Sequence, residues 1–179
     1  MPHQNSYSDL IRIFNELFRE RYQTVLVKGA DEPLYQPANV DNPLHQVIFA
    51  RGYFSSALHE ISHWCIAGAE RRQLVDYGYW YVPDGRSEQQ QKHFEQVEIK
   101  PQALEWIFSV AARHPFHLSI DNLGGEAYNR QAFAEHVSLQ ARRYLRQGLP
   151  LRAGQFARAL VDYYDGILSQ EAFVPEALC

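Results

Sequence analysis

Two histidines four residues apart, His59 and His63, flank a glutamate in the run LHEISHWCI. Residues at i and i+4 share one face of an α-helix, a turn apart, so the two imidazoles stand side by side and can chelate one ion. Glu60 lies a little over a quarter turn away, at the flank of that ion. In metalloproteases a glutamate so placed takes a proton from metal-bound water. Leu58, Ile61, Cys65 and Ile66 around the pair are suited to burial. Two neighbouring buried imidazoles without a metal would need other hydrogen-bond partners.

Two histidines leave an ion short of ligands, so a third protein ligand is expected. The extended pattern H-E-x-x-H-x-x-G-x-x-H is absent: Gly68 is off its glycine position and no histidine stands at its last one. The alternative pattern draws a glutamate from a following helix. Glu95 and Glu98 share a face of the next helical segment at i, i+3, and Asp76 lies between the two segments. Glu98 leads, since it precedes Pro101, whose missing N–H leaves the Val97 carbonyl without its helical partner. His114 and His117 are separated by Pro115 and read as structural or solvent-exposed. Tyr77, Tyr79, Trp80 and Tyr81 read as strand packing, and Cys65, off the histidine face, as core. No glycine-rich phosphate loop and no serine-centred nucleophile elbow occurs.

Two histidines and a carboxylate serve two classes of chemistry. With zinc they make a hydrolase site in which Glu60 is the base. With Fe(II) the same set is the facial triad of oxygenases, open to dioxygen. A metal-stabilised binding module is a third, non-enzymatic class. Spacing does not choose among these. It does argue against the common 2-oxoglutarate oxygenases, whose H-x-D…H set sits on a β-jelly roll.

The elements that must position these residues follow from periodicity and punctuation. The stretch MPHQNSYSDLIRIFNELF reads as an amphipathic helix with Leu10, Phe14, Leu17 and Phe18 on one face and Ser8 or Ser6 as cap. Thr24 to Gly29 and His45 to Phe54 read as strands. DEPLYQPANVDNP between them, with three prolines in thirteen residues, reads as a loop. Ser55 or Ser56 should cap the histidine helix and Gly68 end it. Leu74 to Val82 reads as a strand, and SEQQQKHFEQVEIK as a polar helix interrupted or restarted at Pro101. Residues 116–123 read as a short strand, followed by helices at Asn129 to Gln147 and Arg152 to Tyr164. The expected fold is α+β and helix-dominated, one compact domain over 1–179, with a small sheet behind a central H-E-x-x-H helix in a zincin-like arrangement.

The chain has 179 residues, 46% hydrophobic and 21% charged, the composition of a globular protein. A net charge of −4 is no basis for general nucleic-acid binding. Its distribution is uneven. From His136 to Val161 there are five arginines (Arg142, Arg143, Arg146, Arg152, Arg158) and no acid, so that stretch is +5 and the remainder −9. Solvated helix faces explain this, or a docking patch for an acidic partner. Cys65 and Cys179 make no disulfide framework, and neither a signal peptide nor a membrane span is evident. The expected compartment is a reducing cytoplasm.

The stretch VIFARGYFSSALHEISHWCIAGAERRQLVDYGYWYVPDGR, with DEPLYQPA before it and FEQVEIKPQALEW after it, resembles the elongation factor P hydroxylase family over nearly the whole chain. The resemblance implies hydroxylation of a lysine of translation elongation factor P after β-lysine has been attached to it. It implies a non-haem Fe(II) site, dioxygen as co-substrate, and His59, His63 and Glu98 as the ligands. Glu60 would then orient a ligand or pair with the substrate's ammonium groups. A long cationic side chain would suit an acidic cleft including Glu60, Glu95 or Asp76.

Overall fold

The computed structural model describes residues 4–78, 87–119 and 130–178. Helix α1 (Tyr7–Tyr22) leads into strand β1 (Thr24–Lys28), and strands β2 (Leu34–Gln36) and β3 (His45–Phe49) follow. Then come helices α2 (Phe54–Ile66), α3 (Glu88–Ala111), α4 (Arg130–Gln147) and α5 (Leu151–Tyr164), with short 3-10 turns between and after. This is a helix-dominated α+β fold, as the sequence indicates.

The sheet has β3 at its centre, parallel to β1 and antiparallel to β2, with Leu26 opposite Val47 and Tyr35 also opposite Val47. Leu26, Val47 and Phe49 are buried. Asn15 of α1 accepts a hydrogen bond from the Leu26 amide at 2.9 Å, which ties the first helix to β1. Ser6 caps α1 through the Ser8 amide.

Helix α2 is buried along Phe54, Ala57, Leu58, Ile61, Ser62, Trp64 and Cys65. Trp64 anchors it to α1, with ring centroids 5.0 Å from Phe14 and 4.8 Å from Phe18. That packing fixes the rotation of α2 and leaves His59 and His63 turned toward α3. Helix α3 is the axis of the core. Residues 101–109 are buried without interruption, flanked by α2, α4 and α5.

Several local expectations are corrected. The expected break at Pro101 does not occur, and α3 runs through it. A proline inside a helix costs about 3 kcal/mol, and burial of Ala103, Leu104, Ile107 and Phe108 offsets that. The Pro-rich loop contains β2. Strand β3 ends at Phe49, not Phe54, because Arg51 and Gly52 take left-handed backbone. Tyr53, not a serine, is the N-cap of α2, while Ser56 accepts from the Ala50 amide at 3.0 Å.

The expected strand from Leu74 is instead a 3-10 turn at Val75–Gly78, with left-handed Asp76 (φ 47°) and Tyr77 (φ 57°). Asp76 accepts from the Tyr35 amide at 2.8 Å, and Arg71 donates to the Tyr77 carbonyl at 2.9 Å. Those two bonds hold a conformation that β-prone side chains alone would not adopt. Residues 79–82 of that expected strand lie outside the described residues. The strand expected at 116–123 is not formed over 116–119, where Gln102 takes both the amide and the carbonyl of Ser119. Its remainder also lies outside the described residues.

Gly68 does not end α2. The helix stops at Ile66, and Ala67 is extended. Its last carbonyls would be orphaned. Arg152 of α5 donates to the carbonyls of Trp64, Cys65 and Ala67 at 2.8, 3.0 and 2.6 Å, and Arg72 donates to Ala67 at 2.6 Å. The Arg152 guanidinium also lies over the Trp64 ring at 4.6 Å. Two cations thus close the negative end of the helix that carries the histidines.

Candidate metal centre

The antiparallel packing of α2 on α3 brings His59, His63 and Glu98 together, with one donor atom from each within 4.8 Å of the others. The Nε2 atoms of the two histidines are 3.1 Å apart. Glu98 Oε1 is 3.2 Å from His63 Nε2, and Oε2 is 3.7 Å from His59 Nε2. Adjacent ligands bonded at about 2.1 Å to one ion stand roughly 3.0–3.4 Å apart, so these separations are of the right size for a shared metal.

Glu105 completes the arrangement, and sequence reasoning missed it. Its Oε2 lies 2.8 Å from His59 Nδ1, and the side chain is buried. A carboxylate only accepts, so this bond places the proton on Nδ1 and turns the Nε2 lone pair toward His63 and Glu98. Glu105 stands seven residues after Glu98, two turns along the same face of α3. The signal was a lone acid inside the apolar run ALEWIFSVAA, at that spacing from the leading ligand candidate.

Charge reinforces the geometry. Burial works to lower the His59 pKa, but the Glu105 hydrogen bond and the charges of Glu105, Glu98 and Glu60 outweigh it and raise it to about 10. Burial works to raise the Glu98 pKa, yet the His63 charge and hydrogen bond, with the His59 charge, bring it down to about 2. Glu98 Oε2 nonetheless has no hydrogen-bond partner and is inaccessible to water. An orphaned carboxylate oxygen 3.7 Å from the His59 ring nitrogen, on a carboxylate whose other oxygen faces His63, is a strong demand for a cation. The donor set therefore fits a divalent ion.

The other candidates stand further out. Glu60 is half-buried, and burial lifts its pKa above the usual carboxylate range, opposed by the two histidines and supported by Glu98 and Asp76. It is near the cluster without belonging to the three-donor group. Glu95, half-buried one turn before Glu98, and Asp76 are also outside that group. Asp76 commits Oδ1 to the edge of β2, which accounts for its absence from the cluster. His114 packs on Phe54 at 4.6 Å between centroids, and His117 is exposed. Cys65 is buried. Tyr77 lies nearly parallel to His63, with centroids 6.4 Å apart, and its buried hydroxyl has no hydrogen-bond partner. Tyr79, Trp80 and Tyr81 lie outside the described residues.

Fold and site together define a helical protein with a two-histidine, one-carboxylate constellation able to hold a metal. Comparison with known proteins narrows this class. The model of the elongation factor P hydroxylase family matches residues 13–173. A curated relative from Haemophilus influenzae, an elongation factor P lysine hydroxylase, is 53% identical over 161 residues, covering 90% of each chain. This chain belongs to the elongation factor P hydroxylase family. The zinc peptidase alternative finds no support in these matches.

Proposed function

We propose that the protein is a non-haem iron, dioxygen-dependent hydroxylase of a lysine on translation elongation factor P, acting after β-lysine has been attached. The observation that carries the metal assignment is the convergence of His59, His63 and the partnerless Oε2 of buried Glu98. Family membership carries the reaction class and the substrate protein. Overall, one oxygen atom enters a substrate C–H bond and the other becomes water, balanced by two electrons and two protons from a reductant and solvent.

His59, His63 and Glu98 would hold the ion, which as Fe(II) would supply the redox chemistry for dioxygen activation. Glu105 fixes the His59 tautomer. Glu60, with Glu95 and the charge of Asp76, makes the neighbourhood negative, as ammonium groups of a β-lysylated lysine require. We read residues 1–179 as one domain and the α2–α3 pairing as zincin-like. Among the described residues no helix is long and apolar enough to cross a membrane.

The test is the intact mass of β-lysylated elongation factor P after incubation with Fe(II)-loaded protein and a reductant. Under air the factor should gain one oxygen atom, and under nitrogen none. His63→Ala protein should give no gain in either. Hydroxylation without oxygen, or by the His63→Ala protein, would refute the assignment.

A further inference from the structure

Two adjoining cavities beside the metal centre carry charges that the centre does not use. One, of about 550 Å³, is lined by His63, Arg71, Tyr77 and Lys100 and by the end of α2. The other, of about 430 Å³, is lined by Cys65 of α2 and by Arg143, Tyr144 and Gln147 of α4. Ile66 and Lys100 line both, so the two cavities adjoin there and together make a depression reaching from His63 to the last turn of α4. Among the described residues its charged lining is Arg71, Lys100 and Arg143, with Glu70 as the one acid. Arg142 and Arg146 stand exposed on the same helix as Arg143. Of the five arginines in the +5 stretch, Arg152 is spent on capping α2, whereas Arg143 opens onto the depression.

This sign is opposite to what a cationic side chain seeks. The carboxylates Glu60, Glu98 and Glu105 gather at the histidines, and the cations gather along the approach. A substrate that fits both is a protein offering a cationic side chain from an acidic surface. Its side chain finds the carboxylates while its surroundings find Lys100 and Arg143. A nucleic acid fits less well, because the chain outside His136 to Val161 is −9 and repels an extended polyanion.

We propose that the depression running from His63 past Lys100 to Arg143 is the docking surface for an acidic face of the protein substrate beside its modified lysine. The proposal rests on the hydroxylase reading. Rim charges of this kind act chiefly on the association rate and its salt dependence.

The test follows association of metal-loaded protein with β-lysylated elongation factor P by stopped flow across a salt series. The proteins are wild type, the double charge reversal Lys100→Glu/Arg143→Glu, and the neutral Lys100→Gln/Arg143→Gln. Melting temperature and iron content confirm that each variant is folded. Reversal should slow association at low salt by roughly tenfold, the neutral pair should fall between, and the three should converge at high salt. Equal rates and equal salt slopes, with wild type still hydroxylating the factor, overturn the docking surface alone. Wild type that neither binds nor hydroxylates the factor overturns the hydroxylase reading. Tighter binding of a transfer RNA than of the factor, lost in the reversal variant, assigns the depression to nucleic acid and also overturns the proposal.

Discussion

Glu105 Oε2 and His59 Nδ1, from antiparallel helices, lie 2.8 Å apart on the side of the imidazole away from His63 and Glu98. The bond makes the ring orientation a property of the α2–α3 interface and not of the histidine alone. Partners of this kind are worth about 10–100-fold in metal affinity. Glu105→Ala should weaken Fe(II) binding by about that factor, measured by competition with a chelator. Glu105→Gln should weaken it less, since the amide oxygen still accepts from Nδ1. Equal affinities in wild type and Glu105→Ala would remove Glu105 from the site.

The pH dependence of the metal-free protein has a definite sign. His59 is raised from an ordinary 6.5 to about 10, so its stabilising contribution is full below pH 6.5 and disappears as pH rises through 10. Glu98 is lowered from 4.5 to about 2, so its contribution is full above pH 4.5 and disappears as pH falls through 2. On these two groups, metal-free stability is greatest between pH 4.5 and 6.5. A metal ion competes with the proton on His59 in the folded protein, so the stabilisation it adds should grow as pH rises toward 10. Melting curves with and without metal at several pH values measure both trends. A metal-induced rise in melting temperature that shrinks with rising pH would contradict the arrangement.

Arg152 joins α5 to the end of α2 by hydrogen bonds to three carbonyls, and no other described residue donates to the Trp64 and Cys65 carbonyls from outside the helix. Arg152→Ala should lower stability by about 2–3 kcal/mol in urea unfolding, through lost charge-assisted bonds and orphaned carbonyls. A change below about 0.5 kcal/mol, the range of ordinary surface substitutions, would show that water replaces the guanidinium at no cost.

The histidine pair was legible because four-residue spacing is a property of a single helix, and the apolar residues around it fixed the face. Glu98 was legible only as the leader among three acids, since the register of α2 against α3 is a long-range relationship that no local pattern marks. Glu105 and Arg152 act across helices, on a ring nitrogen and on backbone carbonyls, and no local pattern marks such partners. The misread strand from Leu74 has the same origin. Its Val and Tyr content favours a strand, but the Asp76 bond to Tyr35, forty-one residues away, sets the backbone. The run of α3 through Pro101 is not legible locally, because the proline's penalty is a local property whereas the burial of Ala103, Leu104, Ile107 and Phe108 that offsets it is a tertiary one.

The most direct test of the central claim is the origin of the added oxygen. Fe(II)-loaded protein is given heavy-isotope dioxygen in ordinary water, with β-lysylated elongation factor P and a reductant. A parallel sample carries Zn(II), which binds the same donors but has no redox chemistry. The account predicts one heavy oxygen atom in the factor from the iron sample, and no change from the zinc sample. Oxygen that comes from water, or an equally active zinc form, would contradict it and return His59, His63, Glu98 and Glu60 to hydrolytic chemistry.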